Sequence, residues 1–306
     1  MPTVSVIMNC LNGEKYLREA IESVYAQTYK DWEIVFWDNA STDKSGEIAK
    51  SYGKRVRYFR SDQTYSLGKA RNLAFAQAKG DFAAILDVDD IWMPDKLEKQ
   101  INLFHKNTNL GVAYSDFIFF DDSGDKSGMF RFVKPKRGRV FGELLRNNFM
   151  ATATMMYKRS ALERLGYVFD DNFTMVMDYD LSLRMAYYFE VDYADEPLSK
   201  FRIHRESESS RKRLIVPQEN LKMLEKLVKS IPKMEKNFSE EIKDFRKAVN
   251  YQFAVAEWDK GNKKAAKDYL MPYFEDRKFL ITFILMHIFS LSQFESLKLK
   301  IKHLLK

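Results

Sequence analysis

Apolar and polar positions alternate along the first ninety residues in a repeating order. Residues 3–8 (TVSVIM) form a first apolar strand, followed by Asn9, Asn12 and Gly13, which read as a loop. From Glu14 to Ala26, Tyr16, Leu17, Ala20, Ile21 and Val24 recur at helical spacing on one face. The unit repeats: Glu33–Trp37 reads as a strand ending at Asp38, and Asn39–Asp43 leads into a helix with Ser41 or Thr42 as its cap. Val56–Arg60 is a third strand, after which Gly68 opens a helix running to about Lys79, and Phe82–Leu86 is a fourth strand that ends at Asp87. Strand–helix alternation of this kind predicts an α/β fold, a mostly parallel Rossmann-like sheet with right-handed crossovers. Ligands bind such sheets at the carboxyl ends of the strands. That rule puts Asn9, Asp38, the Gly68–Asn72 turn and Asp87–Asp90 on one rim.

Beyond this, Pro94–His105 reads as a helix and Leu110–Phe120 as a strand. The polar, basic stretch 121–139 reads as an excursion or hairpin at the rim, either a solvated loop or a contact for an anionic acceptor. Residues 151–158 resume as a strand, 159–165 as a short helix, and Met177–Arg184 as a helix start carrying Asp178 and Asp180. Leu198–His204 alternates like an edge strand, with Ser207, Ser209 and Ser210 just after it. From Leu214 the pattern is helical only, over 217–230, 239–259 and 262–274. FLITFILMHIFSL (279–291) then carries no charge and precedes LKLKIKHLLK. As a helix those residues span about 20 Å, short of the roughly 30 Å of a bilayer core.

The chain has 306 residues, 45% of them apolar, enough for about two domains. Its single cysteine, Cys10, excludes an internal disulfide framework and fits a reducing compartment, and no secretory signal is visible. The net charge of +7 is unevenly placed: residues 211–306 hold 21 Lys and Arg against 12 Asp and Glu. That argues against a catalytic domain wrapped in nucleic acid and for a separate basic surface, with membrane as a candidate partner.

The chemistry gathers at FAAILDVDDIWMPD, where a buried strand runs into Asp87, Asp89 and Asp90. Three carboxylates so close repel one another, so they belong at a wet edge, either neutralised by a hard cation or forming an Asp-rich turn that caps the next helix. Arg71, in the first turn of a helix, adds positive charge for a polyanion beside the helix's own amides. Asp38 is placed to accept a hydrogen bond from a base N–H. Neither a P-loop nor a Gly-x-Gly-x-x-Gly fingerprint occurs. Asp178 and Asp180 suit either helix caps or acid–base work.

Over residues 3 to about 210 the sequence resembles the inverting family 2 glycosyltransferases with the GT-A fold. SVIMNCLNGEKYLREAIESVYAQTY, DNASTD, SLGKARN, AILDVDD, GYVFDDNFTMVMDYDLSLRMA and FRIHRESESS carry the resemblance by their order and spacing. It implies a nucleotide-diphosphate sugar donor, a UDP-sugar first, held by Asn9, Asp38, Ser41, Arg71 and Asp87. Asp87 and Asp89 would form the pair that holds the ribose and a Mn²⁺ or Mg²⁺ on the diphosphate, with His204 completing the cation's ligands. In the family pattern Glu-Asp-x-Asp-Leu the first Asp is the general base, and it aligns with Asp178; Met177 stands where the pattern has Glu. The Gln-x-x-Arg-Trp motif of processive synthases is absent, which implies single additions to a glycan or lipid-linked hydroxyl in cell-surface polysaccharide synthesis.

The expected layout is a transferase domain over 1–210 (donor half 1–92, acceptor half 93–210) and a helical region over 211–306. Its tail, 277–306, would hold a cytoplasmic protein to the inner face of the cell membrane. The rival readings are a nucleotide-sugar-binding adaptor without turnover, and an enzyme that makes nucleotide sugars, whose glycine-rich N-terminal motif NCLNGEKYL matches poorly.

Overall fold

The computed structural model describes residues 2–204, 213–288, 290 and 291, and the chain divides into two compact units, residues 1–211 and 212–306. In the first unit, β1 (Val4–Cys10), β2 (Trp32–Asp38), β3 (Val56–Arg60) and β4 (Phe82–Ile85) alternate with α1 (Leu17–Tyr25), α2 (Ser45–Lys50) and α3 (Leu67–Phe75). There follow β5 (Ile91–Trp92), α4 (Lys96–Lys106), β6 (Leu110–Asp121) and β7 (Gly124–Gly128), then α5 (Phe141–Arg146), β8 (Met156–Lys158), α6 (Arg159–Glu163), α7 (Met177–Tyr188) and β9 (Glu190–Arg202).

The strands form one sheet in the order β3-β2-β1-β4-β8-β6-β9-β5, with β7 added to β6. The predicted parallel set is one side of it, β3-β2-β1-β4. On the other side β8 runs antiparallel to both β4 and β6, while β6 and β9 are parallel. β1 and β2 are apolar runs rather than alternations because helices cover both faces, and both strands are buried almost throughout. Leu17, Ile21 and Val24 of α1 are fully buried against this layer, each contributing roughly 1.5–3 kcal/mol. Gly80 permits the turn into β4, since a Cβ there would sit 2.6 Å from the backbone nitrogen of Ser5.

Several boundaries differ from the pattern. Asn9 lies within β1, paired opposite Trp37, not in a loop. Neither Ser41 nor Thr42 caps α2: its N-cap is Lys44, and the Ser45 amide donates to Asp43 Oδ1. α3 stops at Phe75, well before Lys79. Only Met156–Lys158 of the stretch 151–158 is strand, because Thr152–Thr154 coils into a 3₁₀ turn. β9 begins at Glu190 and is flanked by β6 and the two-residue β5, so it is not an edge. Ser207, Ser209 and Ser210 lie outside the described residues.

The second unit is helical: α8 (Val216–Ser230), α9 (Met234–Asn237), α10 (Ser239–Asp259), α11 (Lys263–Leu270) and α12 (Arg277–Ile288). The charge-free stretch does not behave alike on all faces. Phe279, Thr282 and Met286 of α12 are buried, with Phe279 against the rings of Tyr251 and Tyr273, while Ile281, Ile284 and Ile288 face outward. Residues 292–306 of the predicted tail lie outside the described residues. Among those described, no helix is long and apolar enough to cross a membrane.

Candidate active site

At the carboxyl ends of β1 and β4 a cleft of about 330 Å³ opens, lined by Asn9, Arg71, Asp87, Asp89, Asp178 and Phe117 among others. Side chains from both halves of the sheet meet there through α3. Ser66 caps that helix by accepting from the Lys69 amide at 3.3 Å, and Gly68 follows, where an added Cβ would lie 3.2 Å from Met177 Sδ. Asn72 exchanges hydrogen bonds with the backbone of Phe169 (2.9 Å each way), fastening α3 to the segment that leads into α7.

The result is that Arg71, 2% exposed, lies between two carboxylates. One guanidinium nitrogen donates to Asp178 Oδ1 at 2.8 Å and another to Asp87 Oδ1 at 2.7 Å. Burial works against the charge on Arg71, but Asp178 and Asp87 more than offset it and hold the guanidinium more firmly protonated than usual. The two carboxylates are about a third exposed, facing the cleft, at 29% for Asp178 and 34% for Asp87. Asp178 follows Met177 at the start of α7, where the helix dipole favours an anion, yet it does not cap the helix. Asp180 is no cap either: it is fully buried and ion-paired with Arg184 at 2.8 Å, away from the cleft.

The carboxylate cluster after β4 does not share one wet edge. Asp90 is 2% exposed, its Oδ1 accepting from the Arg202 amide at 3.0 Å and its Oδ2 without a partner. Burial, then repulsion from Asp87 and Asp89, pushes its carboxyl well above the usual range, against the pull of Arg202. Arg202 folds over this turn. Its Nε donates to the Asp89 carbonyl at 2.9 Å, it pairs with Glu19 of α1, and its guanidinium lies 4.3 Å from the ring centres of both Tyr16 and Phe120.

His204, just past β9, places Nε2 2.8 Å from Asp89 Oδ2, and its Nδ1 has no partner. A carboxylate oxygen and an imidazole nitrogen side by side suit Mn²⁺, and Mg²⁺ less well. Among the described residues no group of three His, Cys, Asp or Glu side chains forms a complete site, and Asp87 is turned to Arg71 instead. Asn9 contributes differently. Both of its side-chain polar atoms are buried in the cleft wall without a partner, a costly arrangement that a ligand would relieve.

Asp38 and Ser41 fall outside the cleft lining. Asp38 is fully buried at the end of β2: Oδ1 accepts from the Ser41 amide at 2.7 Å, and Oδ2 accepts from the Tyr58 hydroxyl and Arg60, each at 2.5 Å. Burial alone would raise its carboxyl, but Tyr58, Ser41 and Arg60 outweigh it and hold it below the ordinary range. The Ser41 hydroxyl accepts from the Asn12 amide at 3.0 Å.

One supporting network was not foreseen. Lys96 and Gln100 are fully buried, and both donate to the Thr154 carbonyl (2.8 and 2.6 Å); Ser199 Oγ donates to the neighbouring Ala153 carbonyl at 2.9 Å. Together they fix the turn whose Ala151, Thr152 and Ala153 wall the cleft. The signal lay in α4, where Lys96 and Gln100 share the buried stripe of Leu97, Ile101 and Phe104.

Residues 5–166 match the model of the family described as Glycosyl transferase family 2. The chain is 35% identical over 208 residues to the uncharacterized glycosyltransferase MJ1057 of Methanocaldococcus jannaschii, covering 66% of this chain and 71% of that one. Among solved structures it resembles S. aureus TarS 1–349 in complex with UDP-GlcNAc (TM-score 0.65, 19% identity, 88% of this chain and 83% of that chain). It also resembles the mannosyltransferase PcManGT of Pyrobaculum calidifontis in complex with GDP-Man and Mn²⁺ (TM-score 0.63, 17% identity, 94% and 84%). At such identities the two structures speak to the fold, an α/β GT-A arrangement.

Proposed function

Since the chain belongs to glycosyl transferase family 2 and is a glycosyltransferase, we propose that it moves one sugar, with inversion, from a nucleotide-diphosphate sugar to an acceptor hydroxyl, using Asp178 as general base. The observation that carries this reading is the Arg71 bridge, which joins a carboxylate from the donor half to one from the acceptor half in a single cleft. Arg71 holds Oδ1 of Asp178, so Oδ2 takes the acceptor proton. The acceptor oxygen forms its bond to the anomeric carbon, and the bond to the diphosphate breaks with its electron pair leaving on the nucleotide. Asn9, whose polar atoms have no protein partner, faces the donor, and Asp87 keeps Arg71 in place beside it. Asp38 acts indirectly, holding Arg60 and the Ser41 turn at the rim.

Asp89 and His204 would hold a divalent cation, Mn²⁺ before Mg²⁺. When bound it supplies Lewis-acid stabilisation of the leaving diphosphate. The donor is a UDP-sugar, and the acceptor is a glycan or lipid-linked hydroxyl in cell-surface polysaccharide synthesis. The enzyme works in the cytoplasm at the inner face of the membrane.

A thermal-shift panel of nucleoside diphosphates with and without Mn²⁺ tests the donor. A ligand at a hundred times its Kd adds about 2.7 kcal/mol, which at about 2.1 cal/mol/K of unfolding entropy per residue raises Tm by roughly 4 °C for this chain. UDP with Mn²⁺ is expected to give that rise. A rise with GDP alone would reassign the base, and no rise with any of them would overturn the donor site.

A further inference from the structure

The helical unit leaves one apolar surface uncovered. On α12, Ile281, Ile284 and Ile288 follow one another at spacings of three and four and are 53%, 49% and 65% exposed, with Leu280 beside them at 39%. A helix on a protein surface ordinarily turns polar side chains outward. This one has its opposite face anchored in the core: Phe279 packs 5.3 Å from the Tyr251 ring, and Thr282 Oγ1 lies 3.1 Å from the Tyr251 hydroxyl. The outward stripe therefore is not a misplaced core face. The helix itself carries no acidic residue, and Arg277 and Lys278 are exposed at its start.

Charge decides what covers the stripe. Residues 277–306 hold six Lys and Arg against the single acid Glu295. An anionic lipid surface complements both the exposed isoleucines and the exposed Arg277 and Lys278 at the start of the same helix. The helix is about 18 Å long, too short to cross a bilayer and suited to lie along it. We infer that the outer face of α12 docks in the headgroup layer of an anionic membrane through Leu280, Ile281, Ile284 and Ile288. This builds on the proposed membrane placement and names the face and the lipid charge. It does not depend on the identity of the sugar.

Deleting the helix would strip Phe279 and Met286 from the core, so the test uses surface substitutions in the full chain: the triple variant Ile281→Gln, Ile284→Gln, Ile288→Gln, and the single variant Ile284→Gln as the milder change. Co-sedimentation is measured with vesicles of phosphatidylcholine alone and with 30% phosphatidylglycerol, at low and high salt, alongside donor hydrolysis. The wild type is expected to prefer anionic vesicles by tenfold or more and to lose that preference in high salt. The triple variant should bind at least tenfold more weakly and the single variant several-fold more weakly, both with unchanged hydrolysis. Equal binding by wild type and both variants, or no preference for anionic vesicles, overturns the inference. So does a wild-type dimer in sedimentation that the single variant converts to monomer, which assigns the stripe to a second copy. Loss of hydrolysis in the wild type would count against the catalytic reading and leave the vesicle result standing.

Discussion

Replacing Arg71 with methionine removes the cation that joins the two halves of the cleft while keeping most of the side chain's apolar body. Arg71 gives one charged hydrogen bond to Asp178 and one to Asp87, and such bonds contribute about 1.5–3 kcal/mol each. Losing one partner of a fully buried pair costs about 3–5 kcal/mol, because the other charge is stranded. Here the stranded carboxylates are 29% and 34% exposed, so water recovers a good part of that loss. The expected destabilisation is about 2–3 kcal/mol, read as a shift in the urea midpoint at constant slope. The catalytic effect is separable. Asp178 loses the anchor on Oδ1, and a base displaced by about 1 Å costs roughly 10²-fold in kcat. In a double-mutant cycle with Asp178→Asn, Arg71→Met should then add little to the loss in kcat, since both changes act through one carboxylate. A stability change under about 0.5 kcal/mol with kcat intact would refute the reasoning, as would fully additive losses in the cycle.

Three further outcomes follow from the same structure. Lys96 is fully buried without a carboxylate beside it, and burial pushes its ammonium well below the usual lysine range. The folded chain then binds fewer protons than the unfolded one below the ordinary value of 10.5, so stability rises with pH through the window between the depressed and ordinary values. Lys96→Met should flatten that rise in urea unfolding at pH 7 and 9.5, and an unchanged pH dependence would contradict the assignment. Gly80→Ala places a Cβ 2.6 Å from the Ser5 nitrogen and should cost about 1–3 kcal/mol or more in unfolding measurements, while a neutral result would show that the β4 turn yields freely. Asp89→Ala should abolish transfer and weaken donor binding with the fold intact; full activity of this variant in EDTA would remove the cation from the account.

The first ninety residues were legible because their physics is local. β1 and β2 are mainly apolar and buried almost throughout, the intervening helix carries a clean buried stripe, and the strand-end rule gathered Asn9, Arg71, Asp87 and Asp89 around one cleft without any knowledge of distances. What was not legible depends on partners far along the chain. Three adjacent carboxylates look equivalent in sequence, yet Asp90 turns inward because the Arg202 amide, 112 residues later, receives it. Asp38 reads as a free acceptor until Tyr58 and Arg60, on the neighbouring β3, donate to its Oδ2 and the Ser41 amide to its Oδ1. β9 reads as an edge because the strand that covers it, β5, is two residues long and too short to leave a pattern. From Phe279 on, α12 carries no charge on any face, and only its packing on Tyr251 and Tyr273 separates the core face from the outward one.

The central claim is that Asp178 removes the acceptor proton, and single-turnover transfer by Asp178→Asn tests it most directly. Asparagine keeps the size and a hydrogen-bonding oxygen for Arg71 but cannot take a proton. The account predicts a kcat lower by about 10²–10⁴-fold with donor affinity near that of the wild type. A variant that transfers sugar at the wild-type rate would contradict it and leave Asp178 as a structural partner of Arg71.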